Sequence, residues 1–237
     1  MLLFLKKVRR QIITDNKVGR YLLYALGEIC LVVIGILIAL KINNWNTEQI
    51  QKDDARKSYE NIKRQIDDDQ KGLAEAKAVN TYLTRAYEYA NKIILSGNQN
   101  KTDSLAIIAM GLSQYSDFHR SAAIYETLVN SGDLKLLKND EITGALQRLE
   151  TTYIFINKLE DMNWALIINE LSPELRGVIN YTTREVIQPD KLYAVEIQNI
   201  FYEVSNLNNI KNTVYEQALG EIEAIIVLIE EELSSEI

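Results

Sequence analysis

Apolar residues run almost unbroken over 21–40, YLLYALGEICLVVIGILIAL, where Glu28 is the single charge among 20 residues. A helix rises ~1.5 Å per residue, so this run matches the ~30 Å hydrocarbon thickness of a bilayer and predicts a transmembrane helix over about 21–42. Beyond Trp45 the pattern changes to one of sparse apolar positions in a polar background. Ile50, Tyr59, Ile62, Ile66, Leu73, Ala76, Leu83 and Tyr87 form a seam at helical spacing over 47–95, up to a stop at Ser96-Gly97-Asn98. This helix reads as a polar stalk that enters a packed bundle. A short helix is expected around 104–112 with Asp103 as its N-cap, and another over 121–130, stopped at Ser131-Gly132. The strongest periodicity begins at Asn139 or Asp140: Ile142, Leu146, Leu149, Tyr153, Ile156, Leu159 and Leu166 recur mostly at three and four, and Pro173 is expected to end the helix. A short helix to about Val186, a turn at Pro189-Asp190 and a final helix over about 206–233 complete the pattern, the last with Ile210, Val214, Leu219, Ile222, Ile226, Ile229 and Leu233 inward. No segment alternates convincingly as a strand. The expected fold is all-α: one N-terminal transmembrane helix continuing into a long helix and an antiparallel extracytoplasmic helical bundle. Its divisions are a basic stub (1–20), the membrane helix (21–45) and a helical domain (46–237).

Charge orients this scheme. Residues 1–20 hold six basic side chains (Lys6, Lys7, Arg9, Arg10, Lys17, Arg20) against Asp15, whereas residues 46–237 hold 19 basic and 31 acidic ones. The positive-inside rule then puts the N-terminus in the cytoplasm and 46–237 across the membrane, with Tyr21 and Trp45 anchoring the two interfaces. Residues 2–13 form an amphipathic stretch in which Lys6, Lys7, Arg9 and Arg10 can face anionic lipid headgroups. The apolar run is longer than a signal-peptide core, and neither an A-x-A-like site nor a lipoprotein pattern before Cys30 follows it, so an uncleaved anchor is expected. The large acidic domain makes nucleic acid an unsuitable partner. One cysteine excludes an intramolecular disulfide, and one histidine, His119, leaves little for histidine metal or acid–base chemistry.

Within the span, a rotation of ~100° per residue places Tyr24, Glu28, Leu31, Gly35, Ala39 and Ile42 on one stripe. Gly35 and Ala39 make a small-xxx-small pair that lets helix backbones approach closely. A carboxyl in hydrocarbon normally faces protein or water, so the stripe predicts an oligomer interface, homomeric or with another envelope protein. Three roles for Glu28 stay open: a protonated carboxyl making interhelical hydrogen bonds, a partner for a basic group, or one member of a ring lining a proton or cation path. Cys30 and Lys41 lie on the other side of the helix.

Chemistry is sparse elsewhere. The chain has no P-loop, GxGxxG, HExxH, CxxC or nucleophile elbow, so no catalytic, cofactor or metal residue is assigned. Asp67-Asp68-Asp69 points to three faces of a helix and is expected to be solvated. The tyrosines beyond residue 45 read as bundle packing, and His119 reads as a surface loop residue.

The segments YLLYALGEI from Tyr21 and VIGILIALKINNWN from Val33 closely resemble the N-terminal signature of an uncharacterised single-span membrane protein family, a domain of unknown function widespread in Bacteroidota. Glu28, Gly35 and Asn43-Asn44-Trp45 match that pattern, with Lys41 where Gln is usual; Tyr125-Glu126, Leu128 and Ser131-Gly132-Asp133-Leu134 also look familial. The resemblance implies a bacterial inner membrane, a periplasmic helical domain and no known activity. The expectation is a non-enzymatic, oligomeric membrane-anchored scaffold or interaction protein. The alternatives are a pore-forming assembly with Glu28 near its axis and a small-ligand sensor.

Overall fold

A computed structural model describes residues 17–111, 115–120 and 123–235. The first helix, α1 (Lys17–Ser96), ends where Gly97 adopts a left-handed φ of 61° and returns its N–H to the Ile94 carbonyl. A residue with a Cβ is disfavoured in that conformation, so glycine is the natural stop. A 3-10 turn (Gln99–Lys101) leads to α2 (Thr102–Gly111), followed by α3 (Ile124–Ser131) and a second 3-10 turn (Asp133–Leu136). Next come α4 (Asp140–Leu166), a π-turn (Ile167–Leu171) and α5 (Ser172–Arg176), and then α6 (Pro189–Leu192) and α7 (Val195–Ser235). The chain is all-helical, with no strand among the described residues. It divides between Ala55 and Arg56 into two compact units.

In the first unit, the described residues belong to α1, and the large apolar side chains from Tyr21 to Ile50 are exposed. One helix here is long and apolar enough to cross a membrane.

The second unit has two hydrophobic cores. One gathers Tyr59 to Ala76 of α1, Phe118, α3, Ile142 to Leu159 of α4, and Leu207 to Ile229 of α7. The other gathers Leu83 to Ile94 of α1, α2, Leu171 to Ile179, Leu192, and Ile197 to Val204 of α7. Contacts across the unit follow a consistent register. As numbers rise along α1 they fall along α7: Lys63 pairs with Glu230 at 2.6 Å, Lys77 with Glu216 at 2.9 Å, and Asn80 bonds the Asn208 carbonyl at 2.7 Å. Along α4 and α7, Asn139 bonds Glu232 at 2.6 Å, while Glu160 bonds Tyr215 at 2.5 Å.

Local signals were read well at some ends and poorly at others. Asn139 caps α4, its side chain accepting from the Glu141 and Ile142 amides, and Asp140 and Glu141 favour the positive end of the helix dipole. Gly132, at φ 80°, stops α3 as expected. Asp103 is not the cap of α2. Asn98 caps the preceding 3-10 turn and α2 begins at Thr102, so Asp103 sits in the first turn instead. Pro173 does not end α4. The π-turn inserts ahead of it, with the Ser172 amide bonding Ile167, and the helical path resumes to Arg176. Widening the turn accommodates a ring that would otherwise press on the preceding carbonyl, and Pro173 falls at the start of α5, where a missing N–H costs nothing.

The helix expected to reach Val186 is instead a turn. Asn180 accepts from the Thr182 and Thr183 amides, Ile179 bridges Val186, and Arg184 holds a left-handed φ of 62°. For a side chain with a Cβ this conformation costs about 1–3 kcal/mol, which the surrounding hydrogen bonds offset. Helix α7 starts at Val195, well before 206, and Asn206, Asn208 and Asn209 are accommodated inside it. Its inward face holds at Val214, Ile222 and Ile229, which are buried, and at Leu219, Ile226 and Leu233, which pack half-buried against the core; Ile210 departs from it at 42% exposed, and Lys211, Tyr215, Ala218 and Ile225 are buried as well. Ile50 is exposed too, whereas the rest of the α1 seam is buried as expected. Asp69 departs from its solvated reading. It is buried and accepts from the Tyr153 hydroxyl at 3.2 Å, while Asp68 stays exposed.

The buried face of α7 gives a direct test. Ile222→Ala is expected to cost about 2–5 kcal/mol in urea unfolding of the full chain, and Ile210→Ala about 1 kcal/mol or less. The reverse ranking would overturn the burial of Ile222 and the exposure of Ile210.

Candidate functional site

The stripe predicted on the membrane helix is an uncovered surface within the chain. Tyr24 is 76% exposed and Leu31 74%; Glu28, Gly35, Ala39 and Ile42 are exposed beside them, and a Cβ added at Gly35 would meet nothing within 4 Å. Helical geometry alone brings these residues together. Glu28 has no partner among the described residues. Tyr21 and Trp45, expected at the membrane interfaces, are exposed at either end of the run, and Lys6, Lys7, Arg9 and Arg10 lie outside the described residues.

The second unit contains a site that the apolar pattern missed. Between its two cores runs a layer of buried polar side chains. Asn80 and Thr84 come from α1, Glu160 and Asn163 from α4, Ser205, Asn208 and Lys211 from α7, and Ser116 from the segment before α3. Lys211 is 1% exposed and Glu160 4%. The ammonium donates to the Ser116 carbonyl at 2.9 Å and to Ser116 Oγ at 2.7 Å, with Asn163 Oδ1 at 3.5 Å. Its three donors therefore have three acceptors. Glu160 Oε1 accepts from the Phe118 amide at 2.9 Å and from the Tyr215 hydroxyl at 2.5 Å. Tyr215 lies 3.3 Å from Ser116 Oγ, and Ser116 in turn donates to Asn80 Oδ1 at 3.0 Å. Asn80 Nδ2 closes the chain on the Asn208 carbonyl and on Asn212 Oδ1 at 2.9 Å.

Two opposite charges thus share one network without touching. Burial pushes the Glu160 carboxyl up to about 7, against the opposing pull of its bonds from Tyr215 and Phe118. Burial brings the Lys211 ammonium down to about 8, against the upward pull of the Glu160 charge. Burial, and then the same carboxylate, hold the Tyr215 hydroxyl far above its ordinary value. The hydrogen-bond directions favour the charged forms, because every partner of Glu160 Oε1 donates and every partner of Lys211 accepts.

Glu160 also lines a cleft of about 460 Å³ with Tyr115, Asp117, His119, Arg120 and Trp164. Arg120 pairs with Glu150. His119 is exposed, as its loop position predicted. The cleft combines a carboxyl that can take up a proton near neutrality with aromatic walls. Among the described residues it holds neither an activated nucleophile nor a group of three metal-ligating side chains. In sequence, the layer is marked by interruptions of the apolar face at matching depths in α1, α4 and α7, a signal that becomes readable once the pairing of the helices is known.

The model of a family of unknown function (DUF6090) matches residues 28–201, and the chain belongs to that family. No curated protein and no solved structure matches the chain.

The raised carboxyl has a pH consequence. An acid whose folded pKa lies above its unfolded value binds protons better when folded, so its contribution to stability is largest at low pH. That contribution is lost as pH rises from the ordinary 4.5 to about 7. Glu160→Gln removes the ionisation, so its stability relative to the native chain should rise over this window by on the order of 2 kcal/mol. Urea titrations at the two ends of the window measure it; a constant difference would mean that Glu160 titrates as an ordinary surface carboxyl.

Proposed function

We propose that this member of the DUF6090 family is a non-enzymatic scaffold of the bacterial envelope, anchored in the inner membrane by residues 21–45 and self-associating through that helix. One observation carries the reading: Glu28, Gly35 and Ala39 share a stripe of an apolar helix, and that stripe is uncovered within the chain. A carboxyl in hydrocarbon is stabilised by protein or water, and small residues let a second backbone come close enough to supply hydrogen bonds. A second copy of the same helix meets both conditions, which favours a homo-oligomer over a hetero-complex with another envelope protein. Membrane lipid is the other partner, met by the basic residues of 1–20 and by Tyr21 and Trp45.

The same basic residues support a cytoplasmic N-terminus and a periplasmic 46–237. For the periplasmic part we propose an antiparallel helical bundle. Support comes from the falling partner numbers of α7 against rising ones on both α1 and α4. Its net negative charge argues against nucleic acid as a partner.

The interface is tested in native membranes with Glu28→Cys and Gly35→Cys, each in a Cys30→Ser background. Both variants should give disulfide-linked dimers on mild oxidation, and the native chain, with Cys30 on the far side of the helix, should give few. Efficient linking through Cys30 with none at 28 or 35 would overturn the assigned face.

A further inference from the structure

The second unit carries a cavity of about 480 Å³ that neither core fills, in the size range of small-molecule sites. Leu171 and Leu175 are buried and form its floor, with Ile107 and Met110 contributing further apolar surface. Tyr181 and Arg184 are exposed and line its mouth. Two local irregularities of the backbone meet here. The π-turn carries Ile167 and Leu171 into the wall, and the turn after Asn180 holds Arg184 at φ 62°.

Charge selects the occupant. The second unit is acidic, yet the described lining contains no Asp or Glu and one full positive charge. Among the described residues the Arg184 guanidinium makes no ion pair. An apolar floor with one cation at its mouth is complementary to a molecule with an apolar body and a single anionic head, and guanidinium accepts a carboxylate through two parallel hydrogen bonds. A plain anion would leave the apolar floor bare, and a neutral hydrocarbon would leave Arg184 unused.

We propose that this cavity binds a free medium-chain carboxylate amphiphile, tail on Leu171 and Leu175 and head on Arg184. The site is independent of the oligomer reading, since none of its residues belongs to the membrane helix.

The test uses the full chain in zwitterionic nanodiscs and equilibrium dialysis with radiolabelled decanoate, with uptake by empty nanodiscs subtracted. Saturable one-to-one binding is expected, with decanol at least about tenfold weaker. R184Q should weaken decanoate about tenfold and leave decanol unchanged, and R184K, which keeps the charge without the fork, should fall between. Ile107→Trp, at a 64% exposed position that tolerates bulk, should reduce both ligands by filling the cavity. Non-saturating uptake, or equal decanoate affinity in R184Q with native circular dichroism, overturns the proposal. Phosphatidylglycerol nanodiscs distinguish the source of the anion: unchanged decanoate binding supports a free ligand, and its loss by competition overturns a free ligand in favour of bilayer lipid.

Discussion

The buried ammonium of Lys211 imposes the strictest condition in the second unit. Taking a charge of that kind out of water costs several kcal/mol even after relaxation, and the loss is offset only where every donor finds an acceptor. Ser116 and Asn163 provide those acceptors, and the Ser116 hydroxyl, which donates to Asn80, lies against that of Tyr215. Tyr215 is in turn held by Glu160, whose carboxylate also receives the Phe118 amide. One side chain therefore obliges α1, α4, α7 and the segment before α3 to meet at a single level. Apolar packing above and below it would tolerate a slide by a turn with modest loss. The polar layer would not, because a slide would strand both charges.

The arrangement of the two cores follows from this. Each of the three long helices reads apolar, then polar, then apolar along its buried face: Ala76, Asn80 and Leu83 on α1; Leu159 and Asn163 on α4, followed by Ile167 of the π-turn; Val204, Asn208 and Val214 on α7. Such interruptions weaken a core locally but penalise every register in which they fail to coincide. The layer is incompletely satisfied, since Asn163 Nδ2 and both amide atoms of Asn208 are buried without a partner among the described residues. Its stabilising value is accordingly smaller than its value in specifying one arrangement.

What the sequence made legible, and what it hid, divides along the same physical line. Long apolar runs and strong caps were readable because they depend on neighbours in the chain: the 21–40 run, the stop at Gly97, the Asn139 cap and the buried positions of α4. The burial of Lys211 on α7 was not, because an ammonium reads as exposed until Ser116 and Asn163 supply acceptors. Pro173 was misread for a related reason. Its effect as a breaker depends on whether the preceding turn can widen, and Ile167 and Leu171, buried on the far side of the π-turn, stabilise the widened path. The polar layer and the cavity mouth at Arg184 lay beyond sequence reasoning altogether, since each is assembled from segments far apart in the chain.

The chain holds ionisable groups away from water in two contrasting ways. In the second unit, Glu160 and Lys211 are each surrounded by partners from the same chain, and their charged forms are accommodated although burial opposes them. Glu28 stands in the middle of an apolar helix with no partner from its own chain among the described residues. If that helix lies in hydrocarbon, the same reasoning that explains Ser116 beside Lys211 demands a hydrogen-bond donor for Glu28, and none is present among the described residues. A neighbouring helix could supply that hydrogen bond, and Gly35 and Ala39, two and three turns further along, remove the bulk that would keep it away. Self-association, as proposed, would meet an otherwise unmet requirement of one side chain, and the small residues make meeting it geometrically easy.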